Sequence, residues 1–134
     1  MVVSKEQALK EVHEWLDYKR VKQSDRETKE AEKQIEELAN LVSDGTIVIN
    51  SDTKEIEQTL LFPFGKEIEV NKITYKPRIN AGSLQRAMAG TKNDDLQGMI
   101  IAHGSAVTGL TKNQLQALDT EDYKALKSIV VFFM

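Results

Sequence analysis

The stretch TLLFPFGKEIEVNKITYKP, residues 59–77, decides the fold class of this chain. Its large apolar side chains alternate with polar ones, as in strands with one buried face: Leu60, Phe62, Phe64, Ile68, Val70, Ile73 and Tyr75. Gly65–Lys66 separates the two halves, which predicts an antiparallel hairpin. The parity of the pattern shifts by one at Asn71–Lys72, and this indicates a bulge or a tight turn. Pro63 lacks the N–H of a ladder donor, so its strand is expected at a sheet edge.

Another short strand is expected before the hairpin. Thr46–Ile49 is rich in β-branched residues, and Asn50–Asp52 after it supplies turn residues. The hairpin and this segment together predict a small antiparallel sheet of two or three strands.

The chain after the hairpin has the spacing of helices. Caps and apolar periodicity predict about four short helices: Ser83–Ala89, Asp94–Gly109, Thr111–Ala117, and Glu121 to the last residue. The second of these has little polar surface between Met99 and Leu110, so we expect it to be the buried centre of a small bundle.

Residues 1–44 predict a charged helical arm, distinct from a body of residues 45–134. A first helix begins near Ser4, but no large apolar side chain occurs between Val21 and Ile35. An unbroken helix would extend about 60 Å. Ser24 has capping-box spacing to Glu27, which favours a break there and a second helix that ends at Asp44–Gly45. The helices of this arm are also candidates for homo-oligomer contacts. The overall prediction is an α+β fold.

Composition excludes several classes of site. The 134 residues contain no cysteine, so neither a disulfide nor a thiolate metal site is possible. The net charge is −3, and residues 1–44 carry the excess, with 8 basic and 11 acidic side chains. This balance disfavours nucleic acid as a partner. No apolar run approaches the roughly 18 residues of a membrane span, and a cytoplasmic location is expected.

The sequence offers few groups for catalysis or metal binding. His13 and Asp17 are spaced as an i,i+4 pair, but two ligands do not make a site. His103-Gly104-Ser105 lacks the glycines of a nucleophile elbow. Asp94–Asp95 is more simply acidic charge at a helix start. We expect no catalytic, cofactor or metal site. The alternative left open is an enzyme with an unusual site around His103 and Asp94–Asp95.

The C-terminal run Ile129–Phe133 is continuously apolar. Two interpretations stay open. It closes the hydrophobic core, or it is an exposed contact for a partner.

The order of motifs over residues 59–134 resembles that of tail assembly chaperones of long-tailed bacteriophages. The matching elements are the hairpin segments Thr59–Lys66 and Ile73–Pro77, then Asn80–Leu84, Met99–Ala102, Val107–Thr111, Leu115, Leu118, Asp122–Tyr123 and Leu126. Arg78 and Ile79 lengthen one step of the pattern, and Ser83 stands where an acidic residue is expected. Residues 1–44 lie outside the resemblance.

The resemblance implies a protein without an active site that binds the tape-measure protein in the host bacterial cytoplasm and keeps it soluble while the tail assembles. An apolar client helix would dock in an apolar groove. The candidate partner-binding residues are Leu84, Met88, Leu110, Leu115, Leu126, Ile129, Phe132 and Phe133. The alternative is a structural virion protein, such as a tail-tube, baseplate or connector subunit.

Overall fold

The computed structural model describes residues 2–134 and has an α+β fold. The described residues form six α-helices and one three-stranded antiparallel sheet. In chain order the elements are α1 (Lys5–Tyr18), α2 (Lys29–Asp44), β1 (Ile47–Ile49), β2 (Ile56–Phe64), β3 (Val70–Tyr75), α3 (Ala81–Met88), α4 (Leu96–Thr108), α5 (Lys112–Gln116) and α6 (Thr120–Val130). Short 3₁₀ turns occur at Gln23–Arg26 and Val131–Phe133. Within residues 2–134 we find no helix with the length and apolarity to cross a bilayer.

The N-terminal segment forms two helices, in agreement with the expected break. Ser4 caps α1 by accepting a hydrogen bond from the backbone N–H of Gln7. The second helix begins later than the spacing of Ser24 predicted, because Thr28 is its N-cap and Ser24 lies in a 3₁₀ turn. Gly45, with φ of 85°, ends α2 in the left-handed conformation that glycine tolerates.

The two N-terminal helices do not project as an arm. Each buries an apolar face in the same core as the sheet and the C-terminal helices: Ala8, Val12, Trp15 and Leu16 from α1, and Ile35, Leu38, Ala39 and Val42 from α2. Helix α2 contacts α1, β1 and α6. The charged residues between Val21 and Ile35 are mostly exposed, as expected, but they flank helices that belong to the body.

The strand order is β1-β2-β3, so β2 is the central strand. The expectation that the strand of Pro63 lies at an edge therefore holds only locally: β1 pairs with Ile56–Gln58 and ends there. Thr59 pairs with Lys72 but Phe64 pairs with Val70, so β2 contains three more residues than β3 between these pairs. The bulge expected at Asn71–Lys72 thus lies on the opposite strand, and Pro63 is inside it.

The C-terminal helices only partly form the expected bundle. Helix α4 is its buried centre and turns Ile100, Ala102, His103, Gly104 and Val107 inward. Helix α6 packs against α4 and also against α2 and β2. Helix α3 contacts α4 and buries no residue completely, because it lies on the outer side of the core.

Candidate protein-binding surface

The end of the β2–β3 hairpin is the most exposed apolar part of residues 2–134. Leu61 is 64% exposed, Phe62 54% and Ile68 82%, and Pro63 between them is also exposed. The exposure of Leu61 follows the alternation that the sequence predicts, whereas Phe62, which lies in the bulge of β2, is exposed against it. Gly65, with φ of 113°, makes the turn; a Cβ there would clash with the carbonyl oxygen of Ile68. We call Leu61–Ile68 the hairpin end.

A buried carboxylate holds the hairpin end in place. Asp122, in the first turn of α6, is 1% exposed. Its Oδ1 accepts a hydrogen bond from the backbone N–H of Leu61 at 2.8 Å, and its Oδ2 accepts one from the N–H of Phe62 at 3.0 Å. Leu61 and Phe62 lie beyond the last pair with β1 and within the bulge that interrupts the pairing with β3, so their N–H groups have no strand partner and the carboxylate satisfies both.

Two further buried polar groups connect α6 to the sheet. The Gln58 side-chain amide donates to the backbone carbonyl oxygen of Asp122 at 3.1 Å, and its oxygen accepts from the Tyr75 hydroxyl. Burial, and secondarily the Asp122 carboxylate, raise the pKa of Tyr75 well above its ordinary value. No buried side-chain polar atom of the described residues is left without a partner. The network therefore fixes α6 against β2 and β3.

The residues predicted to bind a partner have three different environments. Leu115, Leu126 and Ile129 are buried in the core, and of these only Leu115 also lines a surface cleft. Leu84 and Met88 on α3 are half-buried, as is Leu110 in the connection between α4 and α5. Phe132 and Phe133 are half-buried against Trp15, with ring centroids 6.1 and 5.9 Å from its indole. The C-terminal run thus closes the core, and sequence reasoning missed the hairpin end.

The sequence predicted an apolar groove for a client helix, and the cleft that best fits this description lies between α4, α5 and α6. Its volume is about 510 Å³, and Ile101, Leu115 and Leu118 form its apolar lining. Asp95, Gln97, Lys112 and Tyr123 add polar groups to its wall. Tyr123 donates its hydroxyl proton to the Gln97 side chain at 2.6 Å, which ties α6 to α4.

The histidines have structural roles. His13 Nδ1 lies 3.3 Å from an amino group of Arg26, whose other amino group donates to Asp17 at 2.8 Å. Arg26 is buried although the sequence suggested a wholly exposed segment. Among residues 2–134 no group of three or more candidate ligands could hold a metal ion.

The possible site around His103 and Asp94–Asp95 does not come together in the structure. His103 Nδ1 is 2.8 Å from the Met99 carbonyl oxygen of its own helix. Asp95 caps α4 by accepting from Gly98 N–H, about 12 Å from His103 at 1.5 Å per residue. Ser105 donates to the carbonyl oxygen of Leu110, beyond the helix end rather than within it.

Lys19 is a partly buried cation, and its ammonium group lies over the rings of both Trp15 and Phe133. Its Nζ lies 3.6 Å from the Phe133 centroid and donates to the Pro77 carbonyl oxygen at 3.0 Å. Burial, and then the nearby Arg78, lower the pKa of Lys19 from 10.5 to about 8.

The lowered pKa of Lys19 predicts a rise in stability with pH. The unfolded chain holds the Lys19 proton up to pH 10.5 and the folded chain only to about 8, so the free energy of unfolding increases between these values. Solvent screening reduces the gain to about 1 kcal/mol. Urea unfolding at pH 7.5, 8.5 and 9.5 should show the rise in the wild type and a flatter profile in Lys19→Met. Parallel profiles would contradict the assignment.

Comparison with protein-family models, curated proteins and solved structures finds no match to this chain.

Proposed function

We propose that this protein is a phage tail assembly chaperone that binds the tape-measure protein and keeps it soluble during tail assembly. The observation that carries the proposal is the exposed hairpin end, whose apolar side chains project from a backbone fixed by Asp122. Several exposed apolar side chains on one short segment are typical of contacts with another protein. Binding to an exposed apolar client needs no catalytic group.

The motif order supports the same proposal. Two elements of the resemblance, Thr59–Lys66 and Asp122–Tyr123, are 60 residues apart in sequence, and the Asp122 carboxylate joins them in the fold. A third element, Thr111, begins α5 with a complete capping box to Gln114. The first two elements therefore serve one shared arrangement, in which α6 positions the hairpin, whereas Thr111 has a local capping role.

Co-expression with the tape-measure protein of the same tail-gene cluster tests the proposal. The wild-type chain should keep the client soluble and co-purify with it. Leu61→Ser combined with Phe62→Ser should weaken binding about 100-fold, because two apolar side chains that become buried against the client contribute roughly 3 kcal/mol to the binding free energy. Both residues are exposed in the free protein, so the fold should survive; circular dichroism checks this.

Val48→Ser provides the matched control. Val48 is 58% exposed on β1, away from the hairpin end, and its replacement should leave client solubility unchanged. Equal client solubility with and without the chain would refute the proposal. Abundant chain in purified phage particles would indicate a structural virion protein instead.

A further inference from the structure

A groove runs between α2 and α6 on the face next to Leu61. It consists of two cavities of about 350 Å³ each that share Glu37, Lys124 and Ser128. The residues of α2 that line it occur at helical spacing on one face: Gln34, Glu37, Asn40, Leu41 and Asp44. The residues of α6 do the same: Glu121, Asp122, Lys124, Ala125, Lys127, Ser128 and Val131 just after it.

The groove has the dimensions of a site for a short helix. The two stripes run antiparallel, because Asp44 and Glu121 line one cavity and Gln34 and Val131 the other. The ten-residue step from Gln34 to Asp44 corresponds to about 15 Å, which a helix of about ten residues would span. Its apolar surface comes from Leu41, Ala125 and Val131, and the 64% exposed Leu61 forms the wall at one end.

The charges at the Leu61 end are mainly negative. Glu37, Asp44 and Glu121 are exposed there, and Lys124 is engaged by Glu121 at 3.0 Å. Glu37 forms no ion pair in the described chain, and Asp44 accepts only from Thr46. A complementary partner therefore carries Lys or Arg beside its apolar residues. Addition of a strand is disfavoured, because Asp122 already occupies the free N–H groups of β2.

We propose that the α2–α6 groove binds a basic amphipathic helix of the client, with its apolar stripe on Leu41, Leu61 and Val131 and its cationic side chains at Glu37, Asp44 and Glu121. The identity of the client rests on the proposed function. The groove itself is a property of this chain and is tested separately from client solubility.

Two labelled helical peptides of about twelve residues serve as probes, with leucine at every third or fourth position and either lysine or glutamate at the others. Fluorescence anisotropy with the full chain should show the lysine peptide binding at least about tenfold more tightly at low salt. The difference should shrink as salt screens the exposed charges. Equal affinities of the two peptides, or no binding of either, would overturn the proposal.

Charge reversals place the binding on the groove. Glu37→Lys should weaken binding of the lysine peptide about tenfold, whereas Lys124→Glu should strengthen it severalfold. Glu32→Lys is the matched control, since Glu32 is exposed on α2 and lines neither cavity. The proposal fails if Glu32→Lys and Glu37→Lys weaken binding equally. It also fails if sedimentation shows a dimer that Glu37→Lys dissociates, because the occupant is then a second copy.

A positive peptide result combined with an insoluble tape-measure protein would leave the groove in place and refute only the proposed function. If the chain showed no preference for the lysine peptide but kept the tape-measure protein fully soluble, the groove would be refuted and the proposed function would stand.

Discussion

Trp15→Ala is expected to lower the free energy of unfolding by about 3–5 kcal/mol, the range for removing a large aromatic side chain from a packed core. Trp15 is almost fully buried in the face of α1 that joins the common core. Its indole N–H donates to the carbonyl oxygen of Lys54 at 3.1 Å. Phe132 and Phe133 meet its ring edge to face, so the substitution also removes the surface on which the C-terminal run packs.

Urea unfolding followed by circular dichroism measures this loss, since the substitution removes the only tryptophan. Tyr18→Ala is the control on the same helix. Tyr18 is 41% exposed and its ring lies 5.2 Å from the Arg78 guanidinium, so its loss should cost less than about 1 kcal/mol. Similar costs for the two variants would show that α1 is not part of the core.

Local sequence signals predicted most element types because they depend on nearby residues. Ser4, Thr111 and Gly109 cap helices where their spacing indicated. The placement of α1 and α2 in the core was not predicted. The charges between Val21 and Ile35 suggested an exposed segment. The apolar stripes of α1 and α2 indicate that each helix has a buried face, but a stripe does not show which other element covers that face.

The candidate binding surface was harder to predict for a different reason. Hydropathy placed Leu126 and Ile129 among the candidates, but the same hydropathy makes them core residues. Alternation suggested that Phe62 faces inward. Its exposure depends on the three extra residues of β2 and on Asp122, and contacts between residues so distant in sequence leave no local periodicity.

Asp122→Asn is expected to lower the free energy of unfolding by about 3 kcal/mol. The amide retains one acceptor, but its NH₂ group would face the second backbone N–H, which leaves a buried donor unsatisfied and removes a charge-assisted hydrogen bond. The side chain also loses the favourable interaction of a carboxylate with the N-terminus of α6. The loss should concentrate at the hairpin end rather than spread through the core.

Amide hydrogen exchange tests this localisation. The N–H groups of Leu61 and Phe62 should exchange faster in Asp122→Asn, because they lose their acceptors, while those of α4 should change only with global stability. Client binding should weaken as well, although Asp122 is 1% exposed and is not one of the proposed partner contacts. A mobile hairpin end must be ordered on binding, and that ordering has an entropic cost.

Glu121→Gln is the neighbouring control. Glu121 is exposed and its ion pair with Lys124 contributes at most about 1 kcal/mol, so this variant should retain near-normal stability and hairpin protection. If Asp122→Asn were as stable as Glu121→Gln, the carboxylate would not be what holds the hairpin end. If it were unstable but exchange at Leu61 and Phe62 followed the global change, Asp122 would support the whole core and not the hairpin end in particular.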